Sequence, residues 1–117
     1  MNLRIASLAA ITAAAFAAPA LAHHSWAIYD TDRTITLQGT VKEFEWVNPH
    51  SWLRVVANDE RTGRQVLWTF ELGAPSQLIE TGMYANSLRP GDVVTVTFHP
   101  RKDGSRAGLV VRWAVTR

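Results

Sequence analysis

The chain has 117 residues, 47% of them hydrophobic, with no cysteine, five tryptophans and a formal net charge of +2 at pH 7. Its length suits one small domain with one core and excludes a second, and the missing cysteine excludes a disulfide framework and a thiol nucleophile. Outside the first 22 residues eleven lysines and arginines face ten acidic side chains. That balance argues against nucleic acid as the main partner, because neutralising a phosphate backbone calls for a concentrated basic face.

The first 22 residues read as a secretory signal. Arg4 is the only early charge, Ile5 to Ala18 is almost uninterruptedly apolar, and Pro19 precedes the small-residue site Ala20-Leu21-Ala22. The apolar run falls short of the ~20 residues that cross a hydrocarbon core. The expected organisation is a cleaved signal over 1–22, an extended arm over 23–33 and one domain over 34–117. The mature chain is expected to be periplasmic or secreted, with no membrane span after cleavage.

The arm contains the turn formers Asp30, Thr31 and Asp32. A first strand is predicted from Thr34 to Trp46, with Ile35, Leu37, Gly39 and Val41 on one face. Phe44 and Trp46 carry the opposite parity, which requires a bulge or bend near Lys42 or Glu43. Asn48-Pro49 interrupts the ladder, and a second strand follows from Ser51 to Ala57. After the Thr62-Gly63 turn, Val66, Trp68, Phe70 and Leu72 form the inward set of a third strand. Gly73-Ala74-Pro75-Ser76 then opens a short helix capped by Ser76, with Leu78 and Ile79 as its apolar face and Gly82 closing it. Val94, Val96 and Phe98 define a fourth strand. After Asp103-Gly104, a fifth carries Leu109, Val111, Trp113 and Val115 on one side.

The order β-β-β-α-β-β predicts an all-β domain with one short helix, a five-stranded OB-like barrel. A β-sandwich is the alternative, but it would want about seven strands.

None of the four histidines lies in mid-strand. His23 and His24 follow the cleavage site, His50 follows Asn48-Pro49, and His99 precedes Pro100. Cleavage after Ala22 would give His23 a free amine beside its own imidazole, and one more histidine would complete a three-nitrogen histidine brace. Such nitrogen geometry suits Cu(II), although zinc, nickel or no metal at all stay open. The metal candidates are therefore His23, His24, His50 and His99. Fully extended, the arm reaches ~36 Å, against the ~40 Å of a straight first strand, so His50 is a tight reach and His99 an easier one. The plainer alternative is that these imidazoles only bond loop carbonyls. Asp30 and Asp32 could add oxygen ligands but are more ordinary as turn formers.

Aromatic faces on such barrels stack sugars or bases. Trp68 and Trp113 have core parity, which leaves Trp26, Trp46 and Trp52 as ligand-binding candidates. Arg101, Lys102 and Arg106 make the last hairpin basic, as befits a solvated edge. No catalytic residues are assigned: there is no nucleophile elbow, phosphate-binding glycine loop or His-Glu-x-x-His. Glu43 and Glu45 share a strand face without making an acid-base pair.

His23-His24-Ser25, Tyr29-Asp30, Gly39-Thr40-Val41, Trp46-Val47-Asn48-Pro49-His50, Trp68-Thr69-Phe70-Glu71, Gly91-Asp92 and Pro100-Arg101-Lys102-Asp103-Gly104 resemble a family of small exported proteobacterial proteins of unknown function. The resemblance implies export and a single domain, and it favours His50 as the third ligand. It implies no activity. The general plan is also similar, more loosely, to periplasmic OB-fold proteins tied to stress tolerance. Together these features predict a non-catalytic binding protein, with copper held by His23 and His50, and His24 or His99 as further candidates. The partner would be a metal ion or small ligand together with an unknown periplasmic protein. The alternative is a metal-free module whose aromatic groove takes a sugar, peptide or partner protein.

Overall fold

The computed structural model describes residues 26–116. Five strands, β1 (Ile35–Glu45), β2 (Trp52–Asn58), β3 (Gln65–Glu71), β4 (Val93–Pro100) and β5 (Ala107–Thr116), close into one barrel in the order β1-β2-β3-β5-β4. Neighbours are antiparallel except β3 and β5. The helix α1 (Pro75–Glu80) lies between β3 and β4 in the chain. This is the five-stranded OB-type barrel expected from the strand order, and closure rules out the sandwich.

Alternation along the strands supplies the core. Leu53, Val55, Phe70, Val94, Val96 and Phe98 are fully buried, each worth about 1.5–3 kcal/mol relative to exposure. Trp68 and Trp113 pack against this cluster from its edge. The rings of Phe70 and Phe98 sit 4.8 Å apart and that of Trp68 lies 5.4 Å from Phe98, within the range of favourable aromatic pairs.

The change of parity in β1 occurs where the sequence requires it, since the register with β2 slips between Val41 and Glu43. Gly39 lies on the inward face of β1. A Cβ there would come within 2.5 Å of Val55 Cγ1 and 2.6 Å of the Val56 carbonyl oxygen, so β1 and β2 approach more closely than a side chain allows.

Two expectations are corrected. In β5, Thr97 pairs with Arg112 but Phe98 pairs with Val110. Val111 is the residue left over, and beyond it the parity inverts. Trp113 and Val115 face the core while Val111 is 50% exposed. In α1, Ser76 is not the cap. Ala74 holds that position with Pro75 as the first helical residue, and the Gln77 side chain accepts from the Ala74 amide at 3.1 Å. Proline at the first position fixes the helical φ without losing a needed donor. Leu78 packs on the core, whereas Ile79 is exposed.

Candidate functional site

The arm does not hang free over the residues described. The expected extended arm is corrected at its start, where Trp26 and Ala27 are helical and the Tyr29 amide donates to the Trp26 carbonyl at 3.2 Å, after which the chain meets the β4–β5 hairpin through a single β-bridge. Tyr29 bridges Arg101, the Asp30 amide donates to the Pro100 carbonyl at 2.8 Å, and the Lys102 amide donates to the Ile28 carbonyl at 2.8 Å. Asp30 then turns the chain into β1: its Oδ1 accepts from the Asp32 amide and its carbonyl from the Arg33 amide, each at 3.2 Å. These aspartates act as turn formers here.

That docking buries Tyr29 to 3% exposure and brings its hydroxyl to Glu71 Oε2 at 2.5 Å. Glu71 ends β3 and is itself buried, with its other oxygen 2.9 Å from His50 Nδ1. The imidazole is turned off the line of a straight hydrogen bond. His50 is placed by its neighbour Ser51, fully buried and clamped to the chain after β3. The Ser51 amide donates to the Gly73 carbonyl at 3.0 Å and the Leu72 amide to the Ser51 carbonyl at 2.9 Å. The Asn48–Pro49 peptide just before it is cis.

The result is a chain of phenol, carboxylate and imidazole running from arm to barrel. Burial first, and then the hydrogen bond to Glu71, push the Tyr29 hydroxyl well above the ordinary phenol range, with the Arg101 charge opposing. The phenol stays protonated and is the donor, while Glu71 accepts. Glu71 stands within ion-pair distance of Nδ1, the side from which outer carboxylates orient metal-binding histidines, although the ring is not aligned to donate to it here.

His99 sits elsewhere in the same row. Its Nδ1 lies 2.7 Å from the Arg33 carbonyl oxygen, leaving Nε2 free. Glu71 and His99 both pair with Leu109, so their backbones are two strand spacings apart, ~10 Å. His50 and His99 therefore do not mark opposite ends of the molecule. His23 and His24 lie outside the described residues. Among the described residues no three His, Cys, Asp or Glu groups converge as a metal site would require.

Of the aromatic candidates, Trp46 packs against the core and meets Phe44 edge-on at 5.9 Å. Trp52 is half-buried beside Glu45 and Glu71 in the ladder, and Trp26 is 50% exposed at the start of the described chain. Glu43 and Glu45 both bind the Arg54 guanidinium, and the bond to Glu45 is the main reason that its charge is held more firmly. On the last hairpin, Arg106 reaches Asp59 at 3.3 Å and Arg101 reaches Asp103 at 3.4 Å.

A closed five-stranded barrel with a short helix between β3 and β4 defines the class as an OB-fold protein. The chain belongs to a family of unknown function, DUF6152, which matches residues 10–112. No curated protein matches the sequence. Among solved structures the chain is similar to the mitochondrial single-stranded DNA-binding protein Rim1 of S. cerevisiae. One crystal form gives a TM-score of 0.55 at 12% identity, covering 73% of this chain and 94% of that one. Another gives 0.51 at 12% identity, covering 73% and 95%. A small single-stranded DNA-binding protein from Streptomyces coelicolor is similar at 20% identity and a TM-score of 0.46, covering 72% and 92%.

Rim1 is named as a single-stranded DNA-binding protein, and at such identity the likeness is one of fold. A barrel of the kind that Rim1 uses corrects the exclusion of nucleic acid drawn from charge balance. Net charge averages over the whole surface, whereas single strands are also held by stacking on aromatic rings.

Proposed function

We propose that this chain is an exported, non-catalytic binding protein. Cut after Ala22, it would hold Cu(II) between the amine and imidazole of His23 and Nε2 of His50, as a periplasmic copper carrier or sensor. The observation that carries this reading is the Tyr29–Glu71–His50 chain. It anchors the arm one side chain away from His50 and only six residues after His23. Six residues reach up to ~20 Å, so the tight span that a straight first strand implied is relieved by the wrapped barrel. The partly exposed His50 ring, with a carboxylate beside its Nδ1, supports the same assignment. His99 and His24 are the alternative third ligands, and zinc the alternative metal.

The test is a Cu(II) titration of protein purified from periplasm, its His23 terminus confirmed by intact mass, followed by paramagnetic resonance. Nitrogen hyperfine structure is expected, lost when one residue is added ahead of His23 and reduced in His50→Ala. A spectrum indifferent to both changes sinks the reading.

A second reading takes the barrel as a metal-free module for a sugar, a peptide or a single-stranded nucleic acid. Its support is the fold together with Trp52, outward on β2 and half-buried. Salt-sensitive quenching of tryptophan fluorescence by oligothymidylate, with no copper site, would establish the nucleic-acid form of that reading.

A further inference from the structure

The barrel is closed, yet one strand keeps a free edge. β3 and β5 pair only over Thr69–Glu71 and Ala107–Leu109. After Glu71 the chain leaves through Gly73 into α1, and β5 runs on to Thr116 with β4 on one side. Among the described residues, no strand flanks Val110–Thr116 on the other side and no further backbone bond reaches it. Half of the main-chain donors and acceptors of this stretch therefore point along the sheet away from β4.

That edge borders a groove. Leu72, Leu78, Met83, Val110 and Trp113 line a cavity of about 410 Å³ between the end of α1 and β5. Arg112 is the one charged residue in its lining, exposed, and in no ion pair among the described residues. Protected edges carry proline, several charges or a covering element. Here there is no proline, and Val111, the bulge residue, is left 50% exposed on the rim. A small-molecule pocket would satisfy the apolar walls but leave the row of backbone groups unused. An extended main chain uses both, since it repeats donors and acceptors at strand spacing and sends alternate side chains to one face.

We propose that the free edge of β5 is a strand-addition site. Its ligand is an extended peptide segment of a partner protein, with alternate apolar side chains in the groove and an acidic side chain opposite Arg112. The site is separate from the Tyr29–Glu71–His50 chain and does not depend on metal.

The probe is a random dodecapeptide library displayed on phage, selected against the immobilised mature chain. Enriched peptides are expected to alternate apolar residues and to carry Asp or Glu at a fixed position. N-methylation of the best synthetic peptide should weaken binding at least tenfold at alternate residues and leave the residues between unaffected. Selection against Arg112→Glu should replace the acid by Lys or Arg, a change of preference that a merely unstable variant would not produce. Enrichment without that exchange, or N-methylation that acts evenly, overturns the proposal. Sedimentation that finds the chain dimeric, with the dimer abolished by Arg112→Glu, overturns it too, because the edge would then belong to a second copy.

Discussion

Tyr29 and Glu71 decide how the arm meets the barrel, and each makes a measurable demand. Replacing Tyr29 by Phe keeps the ring but removes the donor to a carboxylate that is itself buried. A buried acceptor stripped of its partner costs about 1–3 kcal/mol, to be read from urea unfolding at neutral pH as a lower midpoint with an unchanged slope. The same phenol sets a limit at high pH. Its pKa in the folded chain is raised by burial and by Glu71, so the fold holds its proton more tightly than the unfolded chain does. The stability is therefore complete below the unfolded phenol value of about 10 and falls as pH rises from there toward the folded value. Tyr29→Phe should flatten that alkaline decline, and a decline of equal slope in both proteins would show that Tyr29 is not its source. Glu71→Gln separates a positioning role from a structural one. The amide still fits, but the carboxylate behind His50 is gone, and such changes cost about 10–100-fold in metal affinity. Isothermal titration with Cu(II) checks this, and an unchanged affinity in a folded Glu71→Gln protein would remove Glu71 from the site.

Single strands were legible wherever one parity ran through them. β4, with Val94, Val96 and Phe98 inward, and the break in β1 near Lys42 followed from the residues alone. β5 was not, because Leu109, Val111, Trp113 and Val115 are equally apolar, and only the register with β4 reveals that Val111 is the extra residue. The polar substitution Val111→Thr should therefore change stability by no more than about 0.5 kcal/mol, as surface changes do. Gly39→Ala should cost about 1–3 kcal/mol by overpacking, since its Cβ would meet Val55 and the Val56 carbonyl. Thermal unfolding of the pair tests both assignments, and equal melting temperatures would contradict them. The helix cap was missed for a related reason: Ser76 and Pro75 are both start signals, and proline's fixed φ took precedence by occupying the first helical position. His50 could be picked out because it follows the strand break at Asn48-Pro49, His99 because it stands near the end of β4, and His23 and His24 because they follow a small-residue site that reads as a signal cleavage site. Tyr29 and Glu71 could not, since 42 residues separate them and neither breaks a local pattern. Only barrel closure, which places the β4–β5 hairpin beside the end of β3, brings them together.

The described residues share one hydrophobic core and the chain has no cysteine to staple it, so anything that ties the arm to the barrel adds directly to its stability. A ligand bound only by the folded chain stabilises it by about 2.7 kcal/mol when present at a hundred times its dissociation constant. For a domain of this size each kcal/mol raises the melting temperature by about 4–8 °C. Copper held between His23 and His50 should thus raise melting by roughly 10–20 °C, because it would staple the arm to the β1–β2 connection across the Tyr29–Glu71 contact already present. The control is the same chain with one residue ahead of His23. It keeps every imidazole but moves the terminal amine off the chelating residue, so most of the shift should disappear. Imidazoles acting alone, as in the sets built on His24 and His99, would leave the two melting curves equally displaced. That outcome would exclude the brace while retaining a metal, whereas no displacement in either protein would remove copper from the function altogether.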